Sequence, residues 1–208
     1  MDKETAIDPI LIEVPTPITT PRMMLRAPQA GDGKVIHEAT LESWPELLKW
    51  TDWARKHKGE LTVKDVEAFY RRRQAQFILR EGIPLLSFNR QSGKFLGGAG
   101  LNRCDWEHRI FMISYWVRTG ETNQGYATEI ATALARYAFN ALSARKVSIF
   151  HVDGNTASQR VIEKVGFEKE GVLRQQHGFH DGTLIDEHIY GLLDEKKLPP
   201  LDVQWGEP

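Results

Sequence analysis

The chain has 208 residues, with 27 Lys and Arg against 28 Asp and Glu, and a net charge of −1. Hydrophobic residues make up 41% and charged residues 26%, which is typical of a globular protein with one sizeable core. The lack of a basic excess argues against a nucleic-acid binder held by phosphate contacts. The single cysteine, Cys104, excludes an internal disulfide framework and fits a reducing compartment.

Residues 1–20 are expected to form an extended arm, because prolines at positions 9, 15 and 17 discourage helix. The longest apolar run in this segment, residues 10–12, is shorter than the ~7–15-residue core of a signal peptide. No stretch approaches the ~20 apolar residues of a membrane span. We therefore expect a cytoplasmic protein with no membrane contact.

The first half of the chain is predicted to be mainly helical. After a short strand at residues 24–26, helical spacing runs through residues 32–55, where Pro45 is expected to divide the segment into two short helices. A further helix is predicted over residues 63–80. Its three consecutive arginines, 71–73, are interpreted as a solvated helix face in preference to a patch that binds an acidic substrate.

The hydrophobic period then changes to that of strands. Residues 84–90 and 95–101 flank a turn at 91–94 and predict a hairpin. A third strand is predicted over residues 109–117, which are rich in aromatic and β-branched side chains. The next predicted elements are a helix over 126–142 and a strand over 146–152, followed by a helix over 155–165 that Asn155 caps and Gly166 ends. A hairpin at 181–182 precedes a last strand over 187–193.

This order of elements predicts a single mixed α/β domain over residues 21–195, followed by a C-terminal tail at 196–208. The central sheet is expected to be twisted and mostly antiparallel, with helices flanking it. The glycine-rich run at residues 97–100 is rejected as a dinucleotide site. Arg103 stands where the third glycine would fall, and the segment continues as a strand and not as a helix.

The segment between the predicted strand at 109–117 and the helix at 126–142 is the most informative about function. The first N–H groups of a helix have no partner within it and carry a partial positive charge. Gly125 and Ala127 lack bulk, so a phosphate can approach these donors. The pattern predicts an anion site suited to a pyrophosphate, with simple capping and packing as the alternative.

This segment resembles the acyl-CoA pyrophosphate loop of the GNAT superfamily, whose pattern is Gln or Arg, two residues, Gly, one residue, and Gly or Ala. Thr122, Gly125 and Ala127 occupy these positions, and Thr122 departs from the preference for Gln or Arg. Residues 115–116 before the loop and 125–129 after it look most like the ribosomal-protein N-terminal acetyltransferase branch, the RimJ/RimL-like enzymes. The resemblance implies an acetyl-CoA-dependent N-acetyltransferase.

The resemblance also implies how the co-substrate is held. In this branch the strand that ends at Trp116–Val117 is bulged and the sheet is splayed there, and its backbone groups pair with pantetheine and polarise the thioester carbonyl. The residues implied to bind acetyl-CoA are Trp116, Val117, Arg118, Asn123, Gln124, Gly125, Tyr126, Ala127, Thr128, Asn155 and Ser158.

A second motif lies downstream, at residues 155–167. It is similar to the second cofactor element of the superfamily, in which Asn155 would bond pantetheine and Gly166 would end the helix. Many relatives carry a tyrosine that protonates the leaving thiolate where this chain has Ile162. The branch offers Ser158 instead, one helical turn from Asn155, and Ser158 is therefore the implied catalytic proton donor.

The resemblance extends over about residues 21–193 and indicates where the acceptor binds. Trp50 and Trp53 look like the paired tryptophans that cover the substrate cleft in this branch, with core packing as the alternative. His177 matches the position of a catalytic glutamate in a relative, and histidine titrates near neutral pH. The alternative bases, in the loop between two predicted strands, are Asp105, Glu107 and His108.

The expected function is transfer of an acetyl group from acetyl-CoA to a primary amine, by direct attack in a ternary complex. The expected acceptor is the N-terminal α-amine of a protein or peptide, such as a ribosomal protein. A small-molecule amine acetyltransferase and a non-catalytic acyl-CoA sensor are the alternatives. No metal is expected, because no further ligand cluster surrounds His177 and His180. The protein is expected to be a monomer or homodimer.

Overall fold

A computed structural model describes residues 7–57, 60–179 and 181–206. The strands are β1 Ile18–Thr19, β2 Met23–Arg26, β3 Ile83–Asn89, β4 Phe95–Asp105, β5 Ile110–Tyr115, β6 Lys146–Val152, β7 Glu168–Gly178, β8 Leu184–Leu192 and β9 Gln204–Trp205. The helices are α1 Gly33–Trp50, α2 Asp52–Lys56, α3 Val63–Ile78, α4 Tyr126–Ala141 and α5 Thr156–Val165. All nine strands form one sheet in the order β7-β8-β6-β5-β4-β3-β2-β1-β9.

Helices cover both faces of the sheet. Successive side chains of a strand point to opposite faces, so an apolar strand needs a covering helix on each side. On β3, Leu86 packs with Ile36 of α1 and Val66 of α3. Its neighbour Leu85 belongs instead to the larger cluster that contains Ile130 of α4 and the buried side of α5. The sheet therefore separates two apolar cores, and the predicted mixed α/β domain with a flanked, mostly antiparallel sheet is confirmed.

The sheet opens between β5 and β6, its parallel pair. These strands are paired only at residues 110–112 and 146–148. Beyond that point β5 stays paired with β4 as far as Tyr115, and β6 stays paired with β8 as far as Val152. The predicted splay near Val117 is confirmed, and α4 and α5 follow the ends of the two diverging strands.

The expectation that Pro45 divides the first helical segment is wrong. Helix α1 continues through Pro45, and the break falls at Thr51, whose backbone is extended (φ −125°, ψ 125°). A proline removes the hydrogen bond to the carbonyl four residues earlier. Here that carbonyl belongs to Leu41, whose side chain is on the exposed side of α1, where water can satisfy the carbonyl.

The segments predicted as an arm and a tail both contribute strands to the sheet. β1 pairs with β2 on one side and with β9 on the other. The Thr20 hydroxyl donates to the buried carboxylate of Glu129 on α4 at 2.6 Å, which fixes the entry into β2. Residues 1–6 of the predicted arm and 207–208 of the tail lie outside the described residues.

The predicted hairpin at residues 181–182 joins β7 and β8, which pair along most of their lengths. His180, between these strands, lies outside the described residues. Within the described ranges, no helix is both long and apolar enough to cross a membrane.

Candidate active site

The splay between β5 and β6 continues into a cleft of about 960 Å³. This volume is at the upper end of the ~300–1,000 Å³ that is usual for ligand pockets. One part, the helix-start half, is lined by the end of β5 and the first turns of α4 and α5. The other part, the aromatic half, is lined from α1, α2 and α3 by side chains that include Trp50, Trp53, Phe69, Tyr70 and Arg73.

The N-terminus of α4 opens into the helix-start half without a side-chain cap. The N-cap residues of α1 and α2 make no capping bond either, whereas Thr62 and Asn155 cap α3 and α5 with their side chains. Gly125 precedes α4 with φ +82°, a left-handed conformation that favours glycine. The first-turn N–H groups of α4 are therefore available to an anion. The predicted residues that line this part are Asn123, Gly125, Tyr126, Ala127 and Thr128.

Arg22 holds the loop before α4 in place. Its Nε and Nη2 atoms each lie 2.6 Å from Oε2 of Glu129, and its Nη1 donates to the Gln124 carbonyl at 2.9 Å. The guanidinium also lies 4.5 Å from the centre of the Tyr126 ring. These contacts fix the start of α4 relative to β2.

Two of the predicted acetyl-CoA residues, Arg118 and Gln124, do not line the cleft. The Arg118 guanidinium pairs with the Glu42 carboxylate of α1, at 2.6 Å from Nε. The Gln124 side chain donates to Glu121 at 3.2 Å. Both side chains support the loop before α4, and the structure does not bring them to a ligand in the cleft.

Just after β5, the Val117 backbone presents an unbonded N–H group to the splay. The Trp116 N–H donates to the Gly98 carbonyl at 2.8 Å, and the Arg118 N–H donates to the Leu96 carbonyl at 2.7 Å. The N–H of Val117, between them, has no acceptor in the described part of the chain. Because successive strand N–H groups point in opposite directions, the Val117 N–H points away from β4 and into the opening. Of the two residues expected to meet the thioester, Trp116 has its N–H bonded to β4, and only the Val117 N–H faces the opening.

Close contacts of β4 with both neighbouring strands explain the glycine-rich run. A Cβ atom on Gly100 would lie 2.3 Å from the Ile83 carbonyl oxygen of β3. A Cβ atom on Gly97, whose φ is +156°, would lie 2.0 Å from the Trp116 carbonyl oxygen. Only glycine fits there. The run at residues 97–100 is therefore a packing feature of the strand, in agreement with the rejection of a dinucleotide site.

Asn155 and Ser158 lie together at the start of α5, and both line the cleft. The Asn155 Oδ1 atom accepts from the Ser158 N–H at 3.1 Å. Its Nδ2 group has no acceptor among the described residues and is available to a ligand. Ile162, at the position where relatives carry tyrosine, is buried in the core.

Tyr115 on β5 places a second hydroxyl beside Ser158. The Tyr115 and Ser158 hydroxyl oxygens are 3.3 Å apart, and both residues line the cleft. Burial raises the pKa of Tyr115 to about 12, and the hydrogen bond with Ser158 lowers it in part. Tyr115 is therefore protonated at neutral pH and can donate. The sequence does not reveal this pair, because the two residues lie on different elements 43 positions apart.

The aromatic half contains both predicted substrate tryptophans, Trp50 and Trp53. The centre of the Trp53 ring lies 5.9 Å from that of Phe69 and 6.1 Å from that of Trp44. Burial raises the pKa of Tyr70 to about 12, so this hydroxyl is also protonated at neutral pH. The contribution of Phe69 and Tyr70 was missed, because helical spacing alone does not say which side of α3 faces a cleft.

His177 does not line the cleft. Its Nδ1 atom lies 3.1 Å from Glu187, a carboxylate that is only 2% exposed, and its ring packs against Phe150 and Phe179. The structure therefore assigns His177 to a buried pair between β7 and β8 and does not bring it to the reacting groups. The alternative bases are also outside the cleft lining. They lie where β4 turns into β5 and are Asp105, Glu107 and His108.

Cys104 also lies outside the cleft lining, and burial raises the pKa of its thiol to about 12. It is therefore a neutral thiol at physiological pH and a poor nucleophile. Over residues 7–57, 60–179 and 181–206, no group of three or more His, Cys, Asp or Glu side chains is arranged to hold a metal ion.

Comparison with known proteins places the chain in a family. The family model described as an acetyltransferase (GNAT) domain matches residues 22–168, more than half of the chain. The N-acetyltransferase YoaA of Bacillus subtilis (strain 168), itself described as uncharacterized, is 26% identical over 180 residues, which are 86% of this chain and 98% of the relative.

Two solved structures share the fold at low identity. RimL, a ribosomal L7/L12 α-N-protein acetyltransferase, has a TM-score of 0.77 and 18% identity over 88% of this chain and 96% of its own. The microcin C7 self-immunity acetyltransferase MccE, solved with acetyl-CoA and AMP, has a TM-score of 0.75 and 17% identity over 84% of this chain and 93% of its own. The chain belongs to the GNAT acetyltransferase family and is an acetyl-CoA-dependent N-acetyltransferase.

Proposed function

We propose that this enzyme acetylates the N-terminal α-amine of a protein or peptide in the cytoplasm. The observation that carries the proposal is the continuous cleft, in which an amine entering through the aromatic half reaches the Val117 N–H and the Tyr115–Ser158 hydroxyl pair. The described function of RimL, which has the same fold, supports a protein acceptor.

The residues of the helix-start half fit acetyl-CoA. The uncapped start of α4, with Gly125 in a left-handed conformation, suits a pyrophosphate. We assign the Asn155 Nδ2 group to pantetheine and the Val117 N–H to the thioester carbonyl, because both donors lack an acceptor among the described residues. On α5, Arg160 and Lys164 line the same part of the cleft and add positive charge. These two cations were not identified from the sequence.

Once the amine and the thioester are held side by side, the reaction needs no strong base. An α-amine has a pKa of about 8, so about a tenth of it is neutral at pH 7 without a strong base. Attack on the thioester places negative charge on its oxygen, which the Val117 N–H stabilises; one such donor is commonly worth ~10²–10³ in rate. As the N–C bond forms, the nitrogen loses a proton to solvent; the C–S bond then breaks, and the Tyr115–Ser158 pair donates a proton to the departing thiolate and is reprotonated from solvent. Direct attack is consistent with the unreactive Cys104 thiol.

The acceptor is tested with a peptide that carries both a free α-amine and a lysine. At neutral pH the α-amine is about 200-fold richer in its neutral form, because the lysine pKa is about 10.4. We expect fragment mass spectrometry to find the acetyl group mainly on the α-amine, and the same peptide with a formylated N-terminus to react poorly. Acetate found mainly on lysine, or a polyamine that reacts faster than any peptide, would contradict the proposal.

Asn155 has two separable roles, capping α5 and binding the co-substrate. Asn155→Asp keeps an oxygen acceptor for the Ser158 N–H but removes the Nδ2 donor. We expect it to keep the Tm of the free enzyme and to weaken acetyl-CoA binding about 3- to 10-fold, measured by calorimetric titration. Asn155→Ala should weaken binding similarly and also lower stability by about 1 kcal/mol. Unchanged affinity in Asn155→Asp would remove Asn155 from the binding site.

A further inference from the structure

Arg73 is the member of the 71–73 arginine run that does not behave as a solvated helix face. Arg71 and Arg72 are exposed, and Arg71 pairs with Glu67 one turn earlier at 2.7 Å. Arg73 is half-buried and lines the aromatic half of the cleft. One helix thus carries two surface cations and one cation directed at the acceptor part of the active site.

No described residue balances the charge of Arg73. Its Nη1 atom donates to the side-chain carbonyl of Gln76 at 3.0 Å, and its guanidinium carbon lies 5.5 Å from the centre of the Phe69 ring. Neither partner is charged, and across the described ranges no carboxylate forms an ion pair with it. Burial lowers the pKa of Arg73 from its ordinary value, in keeping with a cation that has lost water without gaining an anion.

Two described cations of the helices that form the aromatic half, by comparison, are paired with carboxylates. Arg55 of α2 pairs with Asp181 and lies over the Phe179 ring, 3.6 Å from its centre. Lys49 of α1 pairs with Glu46 at 2.5 Å. Arg73, in contrast, has one hydrogen bond from its guanidinium to the described residues, and most of its five N–H donors find no acceptor among them.

We propose that Arg73 binds a carboxylate of the acceptor, so that the enzyme prefers peptides with an acidic side chain close to the N-terminal amine. The planar guanidinium matches a carboxylate with two parallel hydrogen bonds. The guanidinium is half-buried beside the Phe69 ring, and reduced contact with water strengthens such a contact. This inference rests on the proposed peptide acceptor and adds the chemistry by which the acceptor is selected.

The test uses short peptides that are amidated at the C-terminus and differ only by Asp or Asn at the second or third position. The Asp side chain is then the only carboxylate. We expect wild-type kcat/KM to be about 10- to 100-fold higher for the better Asp peptide than for its Asn twin, the worth of a hydrogen-bonded charge pair. Arg73→Met should abolish this ratio, and Arg73→Lys, which keeps the charge but loses the planar fork, should retain part of it.

Arg72→Met is the matched control, because it removes a neighbouring exposed arginine of the same helix. It should keep the wild-type ratio. Equal kcat/KM for the two peptides in the wild type, or a ratio that survives in Arg73→Met, overturns the inference while leaving peptide acetylation in place.

The same experiment distinguishes an error in this inference from an error in the proposed peptide acceptor. If no peptide is acetylated, the peptide acceptor is wrong, and a second pair decides the role of Arg73: a free amino acid against its amide. A preference for the free amino acid that Arg73→Met removes keeps the carboxylate contact and identifies its source as an α-carboxylate. Equal use of the two, or use of neither, overturns the inference.

Discussion

Ala127→Glu is expected to abolish the rise in Tm that acetyl-CoA gives the wild-type enzyme. Ala127 lines the cleft in the first turn of α4, so a carboxylate there would face the pyrophosphate. Two like charges about 4 Å apart repel by about 4 kcal/mol at an effective dielectric of 20. We expect the dissociation constant for acetyl-CoA to rise at least ~100-fold. At 100 times its dissociation constant, acetyl-CoA stabilises the wild type by about 2.7 kcal/mol, or roughly 5–10 °C.

The free Ala127→Glu protein should remain as stable as wild type, because acidic side chains are favourable in the first turn of a helix. Gly125→Val is a less clear test, since φ +82° at Gly125 strains any β-branched residue whether or not a phosphate binds there. Val63→Glu is the matched control: it makes the same charge change at the exposed first residue of α3, outside the cleft lining. A full acetyl-CoA response in Ala127→Glu would mean that the pyrophosphate binds elsewhere.

Loss of either hydroxyl of the Tyr115–Ser158 pair is expected to slow catalysis. Ser158→Ala and Tyr115→Phe should each lower kcat about 10- to 100-fold, the lower part of the range for general acids, because the thiol pKa of about 8.5 already makes the thiolate a tolerable leaving group. Affinity for acetyl-CoA should change little. If the two hydroxyls, 3.3 Å apart, act as one donor, the double variant should be no more than a few-fold slower than the slower single variant.

Tyr137→Phe is the control for this pair. The Tyr137 hydroxyl is buried outside the cleft lining and has no hydrogen-bond partner within the described residues, so its removal should leave kcat unchanged. Wild-type turnover in Ser158→Ala and Tyr115→Phe would show that the thiolate takes its proton from water. Strictly multiplicative losses in the double variant would show that the hydroxyls act separately.

Local sequence signals predicted the elements that carry the co-substrate site. The helix from Tyr126 and the strand at residues 146–152 were predicted because their apolar spacing is strong and uninterrupted. The Asn155 cap and the Gly166 end of α5 were predicted because each position has a local chemical requirement. These signals depend only on residues a few positions away, so they can be read from one sequence.

Features set by distant packing were not predicted. A strand was expected after residues 166–167, but its extent over β7 was not, because β7 is an edge strand with mostly exposed, polar side chains and has no alternating apolar pattern. Nothing in residues 71–73 distinguishes Arg73, because the side of α3 that meets the cleft is set by α1 and the sheet. The placement of His177 beside Glu187 likewise depends on the pairing of β7 with β8.

A crystal structure of the enzyme with acetyl-CoA tests the central claim most directly. We predict that the pyrophosphate oxygens lie within about 3.2 Å of N–H groups of residues 125–128. The thioester carbonyl should accept from the Val117 N–H, and the sulfur should lie beside the Ser158 hydroxyl. A pyrophosphate bound away from the start of α4, or a pantetheine arm outside the opening between β5 and β6, would contradict this account of the active site.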